Sequence, residues 1–344
     1  MIRFYKPTLK RKDMDSVLQT MVDEEIGPSR STKAFTELFS SRVKCSRGLS
    51  FRTYPDCIDA ALKALGVGKE SCVAISMLSP SVYLSALEKT GCRVVYVDAD
   101  RENGLADEKA VMESGADVLI LYESCGMLPI KYNRETTFAE KVSYEGIKIL
   151  EDVSESLGSY CGEEFAPGDW GSVVVSSFEE ENIVSCAGGA ALAVKKGFEC
   201  DLEAIRDPLK SMTDLNASLG LVQLQNLDVN CGKNREIGRI YTQKVLQTRH
   251  RAFGLSFADF NPSYSSFSVF LDSKPEDSIK FAEKNGVPVK KTFADSICSV
   301  YGGDLFGDFP VCAAYYYRTV SFPVYPFLKN TEIDLVGKVI GHLL

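Results

Sequence analysis

A chain of 344 residues, 45% of them hydrophobic and 25% charged, is long enough to bury a large core and to divide into two domains. Its net charge of −8, with no lysine- or arginine-rich run, argues against nucleic acid or an anionic membrane surface as the main partner. No stretch reaches the ~20 apolar residues of a membrane span, and the opening "MIRFYKPTLKRKDMD" lacks the apolar centre of a secretory signal, so a cytoplasmic chain is expected.

In chain order, "TKAFTELFSSRV" sets Phe35, Leu38, Phe39 and Val43 on one helical face. "DCIDAALKALGVG" reads as a second helix that stops at glycine. Four short runs rich in Val and Ile follow: "CVAISM", "RVVYVDAD", "DVLILYE" and "IKILEDV". Their continuous apolarity suits strands covered on both faces. Helical segments separate them, as in "SPSVYLSALEKTG" and "TTFAEKVSYEG", and this alternation predicts a mainly parallel sheet with right-handed crossovers. "DWGSVVVSSF" and "GGAALAV" add two more strands. Helices then run through "MTDLNASLGLVQLQNLD" and "KNREIGRIYTQKVLQT", before a strand in "SYSSFSVFLD" and a helix in "PEDSIKFAEKNG". The pattern divides into a large α/β domain over 1–239 and a smaller α+β domain over 240–344.

The 11 cysteines show no CxxC spacing and mostly sit in apolar runs, so they read as buried free thiols of a reducing compartment. His250 and His342 are the only histidines and neither has a ligand-like neighbour, so no metal is expected. The strand "IKILEDV" ends in Glu151-Asp152, at the strand end where open α/β sheets bind ligands. Asp152 there either pairs with a cationic ring nitrogen or caps the next segment.

"EDVSESLGSYCGEEFAPGDWGSVVVSSF…GGAAL", continued by "MTDLNASLGLVQLQNLD", "NREIGRIY" and "VSFPVYPFL", resembles the DegT/DnrJ/StrS sugar aminotransferases. "EEIGPSRSTKAFTELFSSRV" and "VVYVDAD" extend the resemblance over nearly the whole chain, in order. It implies a fold-type I pyridoxal phosphate (PLP) transferase, a large domain with a mainly parallel sheet between helices, and a dimer with sites at the subunit boundary. It also implies a Schiff-base lysine, an aspartate on the pyridinium nitrogen, a Ser-Gly-Thr turn and a later serine on the phosphate, and an aromatic ring stacked on the cofactor.

Asp152 matches the ring-nitrogen position and Ser177 the later phosphate serine. The lysine, which follows Ser-Phe by four residues, falls on Asn182, with the Gly188-Gly189 turn in place beyond it. Asparagine forms no imine and moves no proton in the accessible range. Lys195, Lys196 and Lys210 are near in sequence but poorly placed to substitute. The phosphate turn falls on Thr53-Tyr54-Pro55. Pro55 has no N–H to give a phosphate, although it can open the helix that follows. Asp56 adds a negative charge at that helix start. The stacking ring maps near Ser79-Pro80, with Tyr83 one turn on as a substitute. Glu155 stands for a glutamine, Glu123 for a histidine, and the asparagine that usually precedes Arg-Met falls near Leu209-Lys210. Glu179, Glu180 and Glu181 form either a solvated face or a repulsive rim at the cofactor entrance.

Three functions follow. The first is a non-catalytic homologue kept for binding or assembly, as a homodimer or with an active paralogue, or binding a sugar nucleotide. The second is an enzyme using non-covalent pyridoxamine phosphate (PMP) or PLP, with Asp152, Ser177, Glu155, Thr53 and Asn182 around the cofactor and Tyr83, Glu155 or Glu123 moving protons. The third is different chemistry in the same cleft through Cys186, whose plainer role is a buried thiol.

Overall fold

The computed structural model describes residues 2–130, 146–253 and 259–343. The helix expected over 136–146 falls almost wholly on 131–145, outside the described residues.

Helices α1 (Arg11–Val22) and α2 (Arg30–Arg42) lead into β1 (Arg47–Phe51) and α3 (Tyr54–Ala64). Strand β2 (Cys72–Ser76), helix α4 (Val82–Thr90), β3 (Arg93–Val97), β4 (Val118–Tyr122) and β5 (Lys148–Asp152) follow the expected alternation. After the short β6 (Tyr160–Cys161), a hairpin of β7 (Val173–Ser177) and β8 (Ala190–Val194) completes a seven-stranded sheet, ordered β1-β8-β7-β5-β4-β2-β3. Only β8 runs against its neighbours; β2, β3, β4, β5 and β7 are mutually parallel. The fold is therefore the expected α/β arrangement.

Period-two alternation explains the two-sided burial. On β7 and β8, Val173, Val175, Leu192 and Val194 enter one core, while Val174, Ala191 and Ala193 enter the other with Phe35 and Phe39 of α2 and Val43 just past its end. Leu38, on the same helical face of the sequence, is only partly buried there.

The helix Asp214–Gln225 packs beside α2, and its first residue holds the two together. Asp214 is buried, and its carboxylate accepts the backbone N–H groups of Ser29, Ser31 and Thr32, each at 2.8 Å, and the Thr32 hydroxyl at 2.7 Å. Burial pushes this carboxyl up, but the donors outweigh it and hold it below the usual range. Asp214→Ala is expected to cost ~2–3 kcal/mol in chemical denaturation, because it orphans a cluster of N–H groups at a helix start. Because its folded value is depressed, the contribution is present above the usual ~3.9 of an unfolded aspartate and is lost as pH falls through the folded value. An unchanged acid limb in the variant's stability profile would count against this.

A second core gathers around β9 (Arg251–Ala252), β11 (Phe267–Phe270), β12 (Lys290–Lys291) and β13 (Thr319–Phe322), ordered β12-β13-β11-β9, while β10 (Phe260–Asn261) pairs with β6. The helix Leu227–Val245 serves both regions: Leu227 and Cys231 lie in the large-domain core, and Ile237, Tyr241 and Val245 in the second. Among the described residues no helix is long and apolar enough to cross a membrane.

Candidate functional site

The carboxyl ends of β4, β5 and β7 share one register, in which Tyr122 pairs with Asp152 and Asp152 with Val175. Beyond them opens a cleft of about 670 Å³ between the large sheet and the β11–β13 region. Ser154, Glu155, Ser177 and Asn182 line it from the sheet side, and Lys290, Lys291 and Phe293 face them.

Asp152 is fully buried behind Tyr54 and Ser154, which line the cleft, and its own chain occupies it. Tyr54 donates its hydroxyl to Asp152 Oδ2, and Tyr83 donates to the same oxygen at 2.8 Å. The two phenol oxygens are 3.2 Å apart. Oδ1 accepts from the Ser154 backbone N–H at 3.0 Å and its hydroxyl at 2.6 Å. Burial pushes the Asp152 carboxyl above its usual value, and the Ser154, Tyr54 and Tyr83 hydroxyls oppose that rise. Burial, then the Asp152 charge, pushes both phenols well above theirs, so they stay protonated as donors.

Tyr83 corrects an expectation. It is a fully buried donor to Asp152, its ring edge-on to Tyr54, and it does not line the cleft as a stacking platform would. Pro80 and Val82 do line it.

Thr53 caps α3 with an extended backbone and accepts the Asp56 N–H at 3.2 Å; its hydroxyl donates to Asp56 Oδ2 at 2.7 Å. Lys210 pairs with the other Asp56 oxygen at 2.8 Å. Burial opposes the Asp56 charge, but the Lys210 and Thr53 contacts prevail and hold its carboxyl below the usual range. Thus the helix N-terminus carries an internal carboxylate with its own counter-ion, and Thr53 stands on the exposed surface outside the cleft.

Asn182 sits in the loop between β7 and β8, its side-chain amide donating to the Ser177 carbonyl at 2.6 Å. Phe178 anchors that loop by edge contacts with Phe35 and Phe39, and Gly189 closes it at φ +113° where a Cβ would lie 2.6 Å from Met212. Lys195 donates to the Gly168 carbonyl, away from the cleft. Glu179 and Glu181 are exposed on the cleft rim, and Glu180 accepts the Tyr5 hydroxyl at 2.5 Å. Glu155 accepts the Cys125 N–H and a hydrogen bond from Tyr122. Glu123 is fully buried off the cleft, bonded to Ser156 and beside Glu151, so it reaches no ligand there. Cys186 is buried too, packed where Gly220 and Phe35 meet it, and burial raises its thiol.

Sequence reasoning missed the far wall. Phe4 and Tyr5 come from the chain start, and the Lys290 ammonium lies 4.7 Å and 5.3 Å from their ring centroids. No local pattern joins residues 4, 5 and 290. Tyr54 did carry a signal: a hydroxyl-bearing ring where the resemblance calls for glycine, near an aspartate that needs a partner.

Residues 210–341 match the model of the DegT/DnrJ/EryC1/StrS aminotransferase family. The chain is a relative of the DegT/DnrJ/EryC1/StrS aminotransferases. It is 21% identical to the spore coat polysaccharide biosynthesis protein SpsC of Bacillus subtilis, over 98% of this chain and 96% of that one. It is 21% identical to GDP-perosamine synthase of Escherichia coli O157:H7, over 99% and 98%. The fold is that of the putative sugar aminotransferase Spr1654 from Streptococcus pneumoniae in its PMP form, with TM-score 0.86 and 18% identity over 99% and 96% of the two chains.

The residues present do not fit the DegT/DnrJ/EryC1/StrS cofactor. The aspartate oxygens already hold four donors, the helix N-terminus holds Asp56, and the loop after β7 presents the Asn182 amide.

Proposed function

We propose that this chain is a homologue of the sugar aminotransferases of polysaccharide or nucleotide-sugar biosynthesis that performs no Schiff-base transamination and acts by binding or assembly. The observation that carries this reading is the pair of phenol hydroxyls on Asp152, which fill the hydrogen-bonding sites a pyridinium nitrogen would need. Asn182 at the lysine position and the capped start of α3 support it independently. The relatives' names support the sugar pathway.

Titration with PLP and, separately, PMP, followed by absorbance and heat, tests it. The expected result is no Schiff-base band and no saturable heat with either. Saturable PMP binding would favour the second reading, an aminotransferase or dehydratase using the cofactor non-covalently, for which the retained Ser177 and the open cleft speak. Asn182→Lys alone is expected to restore no transamination, since the α3 start stays filled; measurable turnover in that variant would overturn the proposal.

Assembly has its own support. Met14, Leu18 and Met21 stand at helical spacing on α1 and are 55%, 55% and 56% exposed. This stripe supports a homodimer or a pairing with an active paralogue. Leu18→Glu is expected to shift the mass measured by light scattering to that of a monomer; an unchanged mass would remove α1 from the interface. That none of the 11 cysteines joins a disulfide supports a cytoplasmic setting.

A further inference from the structure

We propose that the cleft takes an uncharged, polyhydroxylated ring, a free sugar or glycosyl unit without phosphate. This rests on the reading of the cleft as released from cofactor duty. Its volume of about 670 Å³ lies within the ~300–1,000 Å³ of small-molecule sites.

The anion-binding parts are engaged elsewhere. The start of α3 is capped by Thr53 and Asp56, and Lys210 is held by Asp56. Of the cations lining the cleft, Lys291 pairs with Glu276 at 3.1 Å, and Lys290 lies over the Phe4 and Tyr5 rings. Against them stand the carboxylates of Glu155, Glu179, Glu181 and Asp295. A diphosphate entering here meets the carboxylates of Glu179, Glu181 and Asp295, two lysines already engaged, and no open helix N-terminus.

What the cleft does offer is neutral and two-way. The Ser177, Ser265 and Ser266 side chains line it and make no hydrogen bond among the described residues. A hydroxyl both donates and accepts, which is what a ligand hydroxyl requires, whereas a phosphate requires donors alone. Carboxylates at the rim accept from such hydroxyls as well. Tyr54 and Phe293 also line the cleft and add ring surface against which the C–H faces of a sugar ring pack. Lining hydroxyls, rim acceptors and aromatic walls thus converge on one class of ligand.

The test is an array of neutral and phosphorylated glycans probed with the full chain, followed by calorimetry with the best-retained neutral sugar and with its UDP-linked form. Retention of neutral glycans is expected, with the UDP-linked form at least about tenfold weaker. Ser177→Ala is expected to weaken the neutral sugar about tenfold. Glu179→Lys with Glu181→Lys is expected to narrow the gap to the UDP-linked form. Retention of no neutral glycan, or a UDP-linked form that binds as tightly, overturns the inference. The PLP titration separates this from the reading beneath it. No glycan and no PLP bound defeats this inference alone; glycan and PLP both bound defeats the earlier reading alone.

Discussion

Asp152→Ala is expected to destabilise the protein by roughly 3–5 kcal/mol, the cost of leaving several buried donors orphaned at ~1–3 kcal/mol each. The donors are the Tyr54 and Tyr83 hydroxyls and the Ser154 hydroxyl and N–H, all converging on one fully buried carboxylate. In a cofactor-dependent relative the same residue would be read through activity; on the function proposed above its role is read through stability. Tyr54→Phe removes one donor of four and is expected to cost ~1 kcal/mol. Urea denaturation of both variants measures this, and an Asp152→Ala midpoint matching the wild type would show that the phenols find other partners.

Glu123→Gln is expected to flatten the alkaline side of the stability profile. Glu123 is fully buried against Glu151, and burial, then the Glu151 charge, pushes its carboxyl well above the usual range. Glu151 is committed as acceptor to the N–H groups of Gly168, Trp170 and Gly171, so the proton of the pair resides on Glu123. The unfolded chain releases that proton near pH ~4.3, and the folded chain keeps it. Stability therefore falls as pH rises from that value until the folded value is passed. Glutamine keeps a donor toward Glu151 and has no proton to lose. Wild type and variant followed by thermal denaturation between about pH 5 and 9 should diverge as pH rises; parallel profiles would remove Glu123 as the source. Glu151→Ala, which orphans three backbone N–H groups, is expected to cost ~3–5 kcal/mol at any pH.

Most of the sheet was legible because its strands are locally marked. "CVAISM" and "IKILEDV" became β2 and β5 because continuous Val and Ile leave no face for water. Departures from the resembled pattern were also legible one by one, since Asn182, Pro55 and Asp56 each contradict what the resemblance implies. What the changes built instead was not. Tyr54 reaches Asp152 across 98 positions of sequence, and nothing near either residue announces the pairing. Tyr83 was legible as an aromatic near the ring position, but only packing decides that its hydroxyl, not its face, is used. The Phe4, Tyr5 and Lys290 wall joins the two ends of the chain, which no periodicity reports.

The internal capping of α3 bears on how the protein matures. Thr53, Asp56 and Lys210 complete this helix start with parts of the chain itself. A protein stabilised by a bound vitamin derivative gains RT ln(1 + [L]/Kd) and depends on supply. On the function proposed above, this chain needs no such ligand at α3. Its soluble yield and melting temperature should be the same from cells starved of vitamin B6 as from cells fed it, so its abundance would not track the nutrition of the host.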